Sequence, residues 1–72
     1  MMTLTMIDRD ETTARVSMTD GKGHTATLKV WSDGSHQVQD GAAWMVKQIR
    51  GRALGYALSE CRKTGSATVE AR

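Results

Sequence analysis

Side chains that could act as nucleophiles or bases are few in this 72-residue chain. Cys61 is its only cysteine, and His24 and His36 are its only imidazoles. A catalytic thiol needs a nearby base or positive charge that lowers its pKa, but Arg62 and Lys63 would point away from Cys61 on a helix, where adjacent residues diverge. We therefore predict that Cys61 is a small apolar filler at the edge of the core and that the chain is not an enzyme. A small enzyme using Cys61 with one histidine is the alternative.

Metal binding is not indicated either. Asp20 with His24, and Asp33 with His36, could be read as ligand pairs, but each pair brackets a glycine turn, and turn chemistry explains the aspartates. None of these residues shows the short spacings of zinc fingers or metalloproteases. We predict no metal and no other cofactor, and one cysteine cannot form an intrachain disulfide.

Charge distribution is the most informative functional feature of the sequence. Residues 1–40 hold four Lys or Arg against six Asp or Glu, whereas residues 41–72 hold six against two. The C-terminal half is therefore basic, as in many proteins that bind nucleic acid. Its candidate contacts to nucleic acid or to an acidic partner are Lys47, Arg50, Arg52, Arg62 and Lys63. Because these five are spread around a helix, a solvated helix face is the competing interpretation.

Two tryptophans are the best candidates for anchors at a protein interface, where Trp is enriched. If Asp33-Gly34 forms a two-residue turn, Trp31 and Val38 share the face of the sheet opposite the core. Trp44 falls opposite the apolar stripe of a single helix, unless the helix rotates to bury it. We therefore predict a partner-binding surface of Trp31, Val38 and Trp44.

Alternating apolar and polar residues predict the strands that would position these side chains. Asp20-Gly21-Lys22-Gly23 supplies a turn, and pairing Val16 with Ala26 across it requires an odd loop of three or five residues, which predicts a bulged hairpin. The predicted strands cover residues 3–7, 14–18, 25–30 and 36–39.

A helix is predicted from Ala42 to Lys63, with Asp40 as its N-cap and Thr64-Gly65 at its end. Its apolar stripe would contain Ala42, Met45, Val46, Ile49, Ala53, Tyr56 and Ala57, widened by Leu54, Leu58 and Cys61. Glycines at 51 and 55 weaken a continuous helix, so two short helices with a break at residues 50–52 are the alternative.

Together these elements predict one α+β domain over residues 1–72. A small antiparallel sheet of three to four strands in a meander packs against one helix in the C-terminal half, and residues 67–71 form a short final strand or an ordered tail. Only 19 apolar residues other than Ala and Cys are available, so the core is thin and a partner, which could be a second copy, would support it.

The composition narrows the functional classes. No apolar run is long enough for a membrane span or a secretory signal, and a free cysteine suits a reducing cytoplasm. We expect a non-catalytic interaction module for a macromolecular partner, favouring a protein, with a layout shared by small inhibitors and accessory proteins of phages and mobile elements. A nucleic-acid-binding protein that uses the basic helical half is the alternative.

Overall fold

Residues 1–49 and 52–70, which the computed structural model describes, contain five strands and two helices. In chain order these are β1 (Met2–Arg9), β2 (Thr13–Thr19), β3 (Thr25–Trp31), β4 (His36–Gly41), α1 (Trp44–Lys47), α2 (Ala53–Thr64) and β5 (Ser66–Val69). The strands form one antiparallel sheet in the order β4-β3-β2-β1-β5. The predicted α+β class is confirmed, and the final strand joins the sheet beside β1.

Alternate residues of the central strands face the helices and build the core. Leu4 lies opposite Met18, and Val16 lies opposite Leu28, and all four are fully buried. Burial of such a side chain contributes about 1.5 to 3 kcal/mol, which favours the register at these pairs, and the β1–β2 ladder shifts register only nearer its end, between Met6 and Asp8. The other face of the sheet is polar and includes Thr3, Thr5, Ser17, Thr27 and Thr68.

The β2–β3 hairpin has the predicted odd loop. Thr19 pairs with Thr25, so five residues separate the two strands, and the Asp20 N–H donates to the His24 carbonyl at 3.3 Å. Val16 pairs with Leu28 and not with Ala26, but both partners lie on the core face. The ladder runs without a register shift, so the predicted bulge is absent from its paired residues.

The β3–β4 hairpin corrects the predicted orientation of Val38. The Trp31 N–H donates to the Ser35 carbonyl at 2.8 Å, which leaves a three-residue loop with Gly34 at φ 94°. Because one extra loop residue moves every side chain of the strand to the other face, Val38 lies opposite Leu28. The two-residue turn, on which the predicted placement of Val38 beside Trp31 depended, does not form, so that placement is wrong.

Strand β4 continues through the residues predicted to start the helix. Asp40 is a strand residue whose Oδ1 accepts the Gly41 N–H at 2.8 Å, so its predicted N-cap role is wrong. Gly41 has φ 85°, and a Cβ there would lie 2.3 Å from the Thr25 carbonyl oxygen. This contact requires glycine and places Ala42, whose N–H donates to the same oxygen at 2.8 Å, at the start of the helical segment.

The predicted helix from Ala42 to Lys63 is divided in two, as the alternative had it. Within the described residues, α1 ends at Lys47 and α2 begins at Ala53. Two glycines at a spacing of four lower the helix propensity of this stretch, and division lets Met45 and Leu58 both reach the core. Arg50 and Gly51 lie outside the described residues.

Helix α2 buries residues spaced at i, i+3, i+4 and i+7, which are Leu54, Ala57, Leu58 and Cys61. Tyr56 is 70% exposed, because the stripe that included it was drawn for one continuous helix. The helix ends at Gly65, whose φ is 94° and whose N–H donates to the Cys61 carbonyl at 2.7 Å. Gly65 then directs the chain into β5.

Candidate functional site: a basic cleft at the end of helix α2

One face of the last turns of α2 carries hydroxyl and cationic side chains. Ser59, Arg62 and Lys63 are spaced at i, i+3 and i+4, so they lie side by side on the helix surface. Cations in the last turn also interact favourably with the negative end of the helix dipole, which explains their presence at this position in a small domain.

Two residues from distant parts of the chain complete this face. Arg9, at the end of β1, and Ser32, in the β3–β4 loop, line an open cleft of about 480 Å³ together with Ser59, Arg62 and Lys63. Nη1 of Arg9 donates to the Arg62 carbonyl at 2.9 Å, and the Ser32 N–H donates to the Thr12 carbonyl at 2.9 Å. Backbone contacts therefore hold both added residues in place, and we call this five-residue site the basic cleft.

The basic cleft is positively charged and not internally neutralised. Among residues 1–49 and 52–70 the ion pairs are Asp8 with Arg15 and Asp20 with His24. The Arg15 guanidinium donates hydrogen bonds to the Asp8 carboxylate. These bonds raise the pKa of Arg15 and lower the pKa of Asp8. The cleft cations have no such carboxylate partner in the described part of the chain. They are therefore available to bind an external anionic group.

The predicted basic contacts do not form one surface. Arg62 and Lys63 lie in the basic cleft, whereas Lys47 is on α1 and Arg52 precedes α2, beside a groove that also includes His36. The predicted contact at Arg50 lies outside the described residues. Sequence reasoning missed Arg9 and Ser32, because neither lies in the basic half and only the fold brings them to α2.

Trp31 lies next to the basic cleft. It borders a cavity of about 80 Å³ that shares Ser32, Ser59 and Arg62 with the cleft. Its side chain is half-buried, and Nζ of Lys29 lies 5.3 Å from the centre of its ring, a cation–π contact. This predicted anchor thus borders the same cavity as Arg62, one of the predicted cations.

Trp44 lies elsewhere. Its ring is 45% exposed and meets the edge of the His24 ring, with the centroids 5.0 Å apart. Nδ1 of His24 is 2.7 Å from Oδ2 of Asp20. Burial raises the pKa of Asp20, but hydrogen bonds from the Lys22 N–H and from His24 outweigh it and leave the pKa below its ordinary value. Trp44 therefore packs on the β2–β3 loop, at the start of β3, whereas Trp31 is the last residue of β3. The length of this strand separates the two tryptophans by roughly 20 Å.

The third predicted anchor has a different environment again. Val38 is half-buried on the inner face of the sheet and packs against the core. The predicted surface of Trp31, Val38 and Trp44 is therefore three separate sites, because the hairpin register turned Val38 inward and the break after α1 placed Trp44 against a loop.

Tyr56 was predicted to face the sheet as part of the apolar stripe, but it is exposed. It borders two grooves, one of about 730 Å³ between α2 and β5 and one of about 620 Å³ beside α1. The first groove also includes Ala53, Ala57 and Glu60. Helix periodicity drawn from Ala53 alone could have shown Tyr56 on the exposed side.

Cys61 lies in the core and is fully buried. Burial raises the pKa of its thiol, because the low-dielectric surroundings disfavour the thiolate. Neither His24 nor His36 hydrogen-bonds to its sulfur in the described structure. The placement agrees with the predicted filler role.

The described part of the chain has no group of three or more His, Cys, Asp or Glu side chains that could hold a metal ion. No helix in it has both the length and the apolar character needed to cross a membrane. Comparison with known protein families, curated proteins and solved structures finds no match to this chain.

Proposed function

We propose that this chain is a non-catalytic, cytoplasmic interaction module, of the kind represented by small inhibitors and accessory proteins, that binds an acidic segment of a protein partner. The observation that supports this function is the convergence of Arg9, Arg62 and Lys63 on one open cleft. Like charges gathered without a carboxylate partner repel each other, and an external anion relieves that repulsion.

The chemistry of the basic cleft suits carboxylates. A guanidinium group presents paired N–H donors that match the two oxygens of a carboxylate, and Ser32 and Ser59 add hydroxyl donors. Arg9 is held by its bond to the Arg62 carbonyl, so less side-chain freedom is lost when a ligand binds. Trp31 next to the cleft adds an aromatic surface of the type enriched at binding hot spots.

The arrangement of the cations favours a protein over a nucleic acid. A nucleic-acid backbone presents a row of phosphates, so its binding sites carry cations along a track. Here three cations line one cleft, while Arg52 lies ten residues before Arg62, about 15 Å away along α2. A compact cluster of this kind fits one or two acidic side chains better than a phosphate chain.

A pair of double variants tests this function. Arg62→Glu with Lys63→Glu reverses the basic cleft, and Lys47→Glu with Arg52→Glu makes the same change in net charge outside it. In affinity capture from nuclease-treated extract of the source cell, we expect the cleft variant to lose about tenfold or more of partner binding, and the control variant to retain it. Partner binding that falls equally in both variants would contradict a localised site.

Nucleic acid is the alternative outcome of a second measurement. Fluorescence anisotropy can compare a labelled glutamate-rich peptide with a labelled DNA strand at increasing salt. We expect the peptide to bind the wild type and not the cleft variant. Tight DNA binding that weakens steeply with salt and depends on all four substituted cations would replace the protein-partner proposal.

A further inference from the structure

The sheet has two edge strands, and an unpaired edge is a template for another strand unless the protein blocks it. Edge strand β4 is blocked. Its ladder with β3 shifts register between Thr27 and Leu28, and the strand ends at Gly41 with a positive φ. Bulges and charged residues such as Asp40 are common means of preventing pairing at an edge.

Edge strand β5 lacks these features. Ser66, Ala67, Thr68 and Val69 include no proline, lysine or charged residue, and their ladder with β1 is regular. The Met6 N–H donates to the Gly65 carbonyl at 2.9 Å, and hydrogen-bonded positions alternate along an antiparallel pair. The backbones of Ala67 and Val69 therefore turn towards β1, and those of Ser66 and Thr68 turn towards the open edge.

We propose that two copies of this chain pair antiparallel through β5, with a two-fold axis at Thr68. This register places Thr68 opposite Thr68 of the second copy and Ser66 opposite Glu70. All outward N–H and carbonyl groups from residue 66 to residue 70 then have strand partners, and the Ser66 carbonyl keeps the hydrogen bond that the Thr64 hydroxyl donates to it at 2.8 Å. Glu70, the one charged residue of this segment, meets a hydroxyl group instead of a second carboxylate.

The position of α2 allows its two copies to pack on each other across the same axis. Helix α2 packs mainly on β5 and β1, so its axis lies about 5 Å from the two-fold axis, given a strand spacing of about 4.8 Å. The two helices would then be about 10 Å apart, which is the spacing of packed helices. Ala53 and Ala57 leave room for this approach, and Tyr56 can enter the groove of the second copy.

This second-copy interface is independent of the basic cleft. It uses Ala53 and Tyr56 on one side of α2, whereas the cleft uses Ser59, Arg62 and Lys63 on another side. A short strand and two turns of helix make a small interface, so we expect a dissociation constant in the micromolar range. Loss of either interface would leave the other intact.

Sedimentation equilibrium over a range of about 10 to 500 µM tests the pairing. Thr68→Pro removes the outward N–H that pairs across the axis, and edge strands accept proline at such positions. The matched control, Thr68→Ala, keeps the N–H. We expect wild type and Thr68→Ala to dimerise, and Thr68→Pro to dimerise at least tenfold more weakly. A wild type that stays monomeric, or a proline variant that dimerises equally well, would overturn the proposal.

Amide hydrogen exchange on the wild type tests the same edge without a substitution. Hydrogen-bonded positions also alternate along β4. Counted from the hydrogen bond between Trp31 and Ser35, the Val38 N–H points away from β3, to the outer edge of the sheet. Raising the protein concentration should slow exchange at Thr68 several-fold and leave Val38 unchanged. Equal behaviour at the two amides would refute the pairing, and protection of Thr68 only on adding a peptide would assign the edge to a foreign strand.

Discussion

Edge strands β4 and β5 differ in how they are joined to the rest of the sheet. Strand β4 follows a glycine loop, has exposed polar residues such as Gln37 and Gln39, and ends where Gly41 touches the Thr25 backbone. Strand β5 follows α2 directly and consists of small residues beside a groove. Steric contacts and a register shift thus fix β4 as the end of the sheet, whereas β5 is regular and open to a further strand.

This difference explains how a thin core can still give a defined sheet. The closed edge is held by local backbone contacts that need little apolar area, and the open edge lies beside the best-packed helix. The buried core lies mainly on β1, β2, β3 and α2, so β4 is held largely by backbone contacts, and the surface available for association lies near β5 and α2.

The largest effect is expected at Gly41. Gly41→Ala places a Cβ against the Thr25 carbonyl in a strained conformation, so we expect a loss of about 3 kcal/mol in the free energy of unfolding. Gly34→Ala is the matched control, because Gly34 has φ 94° with open space around it, and it should cost about 1 kcal/mol. Urea denaturation measures both, and similar losses would mean that the β4 edge is not sterically fixed.

An intermediate effect is expected at Val38. Val38→Asp puts a carboxylate on the half-buried inner face and should cost about 2 kcal/mol. Gln37→Asp makes a carboxylate one residue away, on the outer face opposite Lys29, and should change stability by less than about 0.5 kcal/mol. A larger loss of stability in Gln37→Asp than in Val38→Asp, in thermal or urea denaturation, would contradict the inward orientation of Val38.

The smallest effect is expected from the aspartate in the β3–β4 loop. Hydrogen bonds from the Ser35 hydroxyl, and then from the Ser35 N–H, hold the pKa of Asp33 below its ordinary 3.8. Because the folded pKa is depressed, this contribution to stability is present above pH 3.8 and is lost as the pH falls below it. Asp33→Asn should flatten the acid dependence of unfolding. An unchanged pH dependence of unfolding in Asp33→Asn would show that ionisation of Asp33 does not contribute to stability.

Much of the fold could be predicted because its signals are local. Alternation in β1, β2 and β3 determines which residues are buried, and Leu4, Val16 and Leu28 are all in the core. The turn at Asp33-Gly34 could not be resolved in this way, since loops of two and three residues both suit the sequence. The one additional residue in the loop determines on which face of the sheet Val38 lies.

The candidate site was harder to predict than the fold. Arg62 and Lys63 were identified from charge, but the cleft depends on Arg9 and Ser32, which are distant in the chain, at the end of β1 and in the β3–β4 loop. Their convergence with Arg62 and Lys63 depends on the full strand order and on the packing of α2 against the sheet. Tyr56 was missed because its exposure depends on where the helix is broken.

Amide chemical-shift mapping by NMR is the most direct test of whether the basic cleft binds an acidic segment. A short glutamate-rich peptide titrated into labelled protein should shift the amides of Ser32, Ser59, Arg62 and Lys63. The amide of Lys47 should not move, and added salt should reverse the shifts. Shifts of equal size at Lys47 and Arg52, or no shifts at the cleft, would contradict the account.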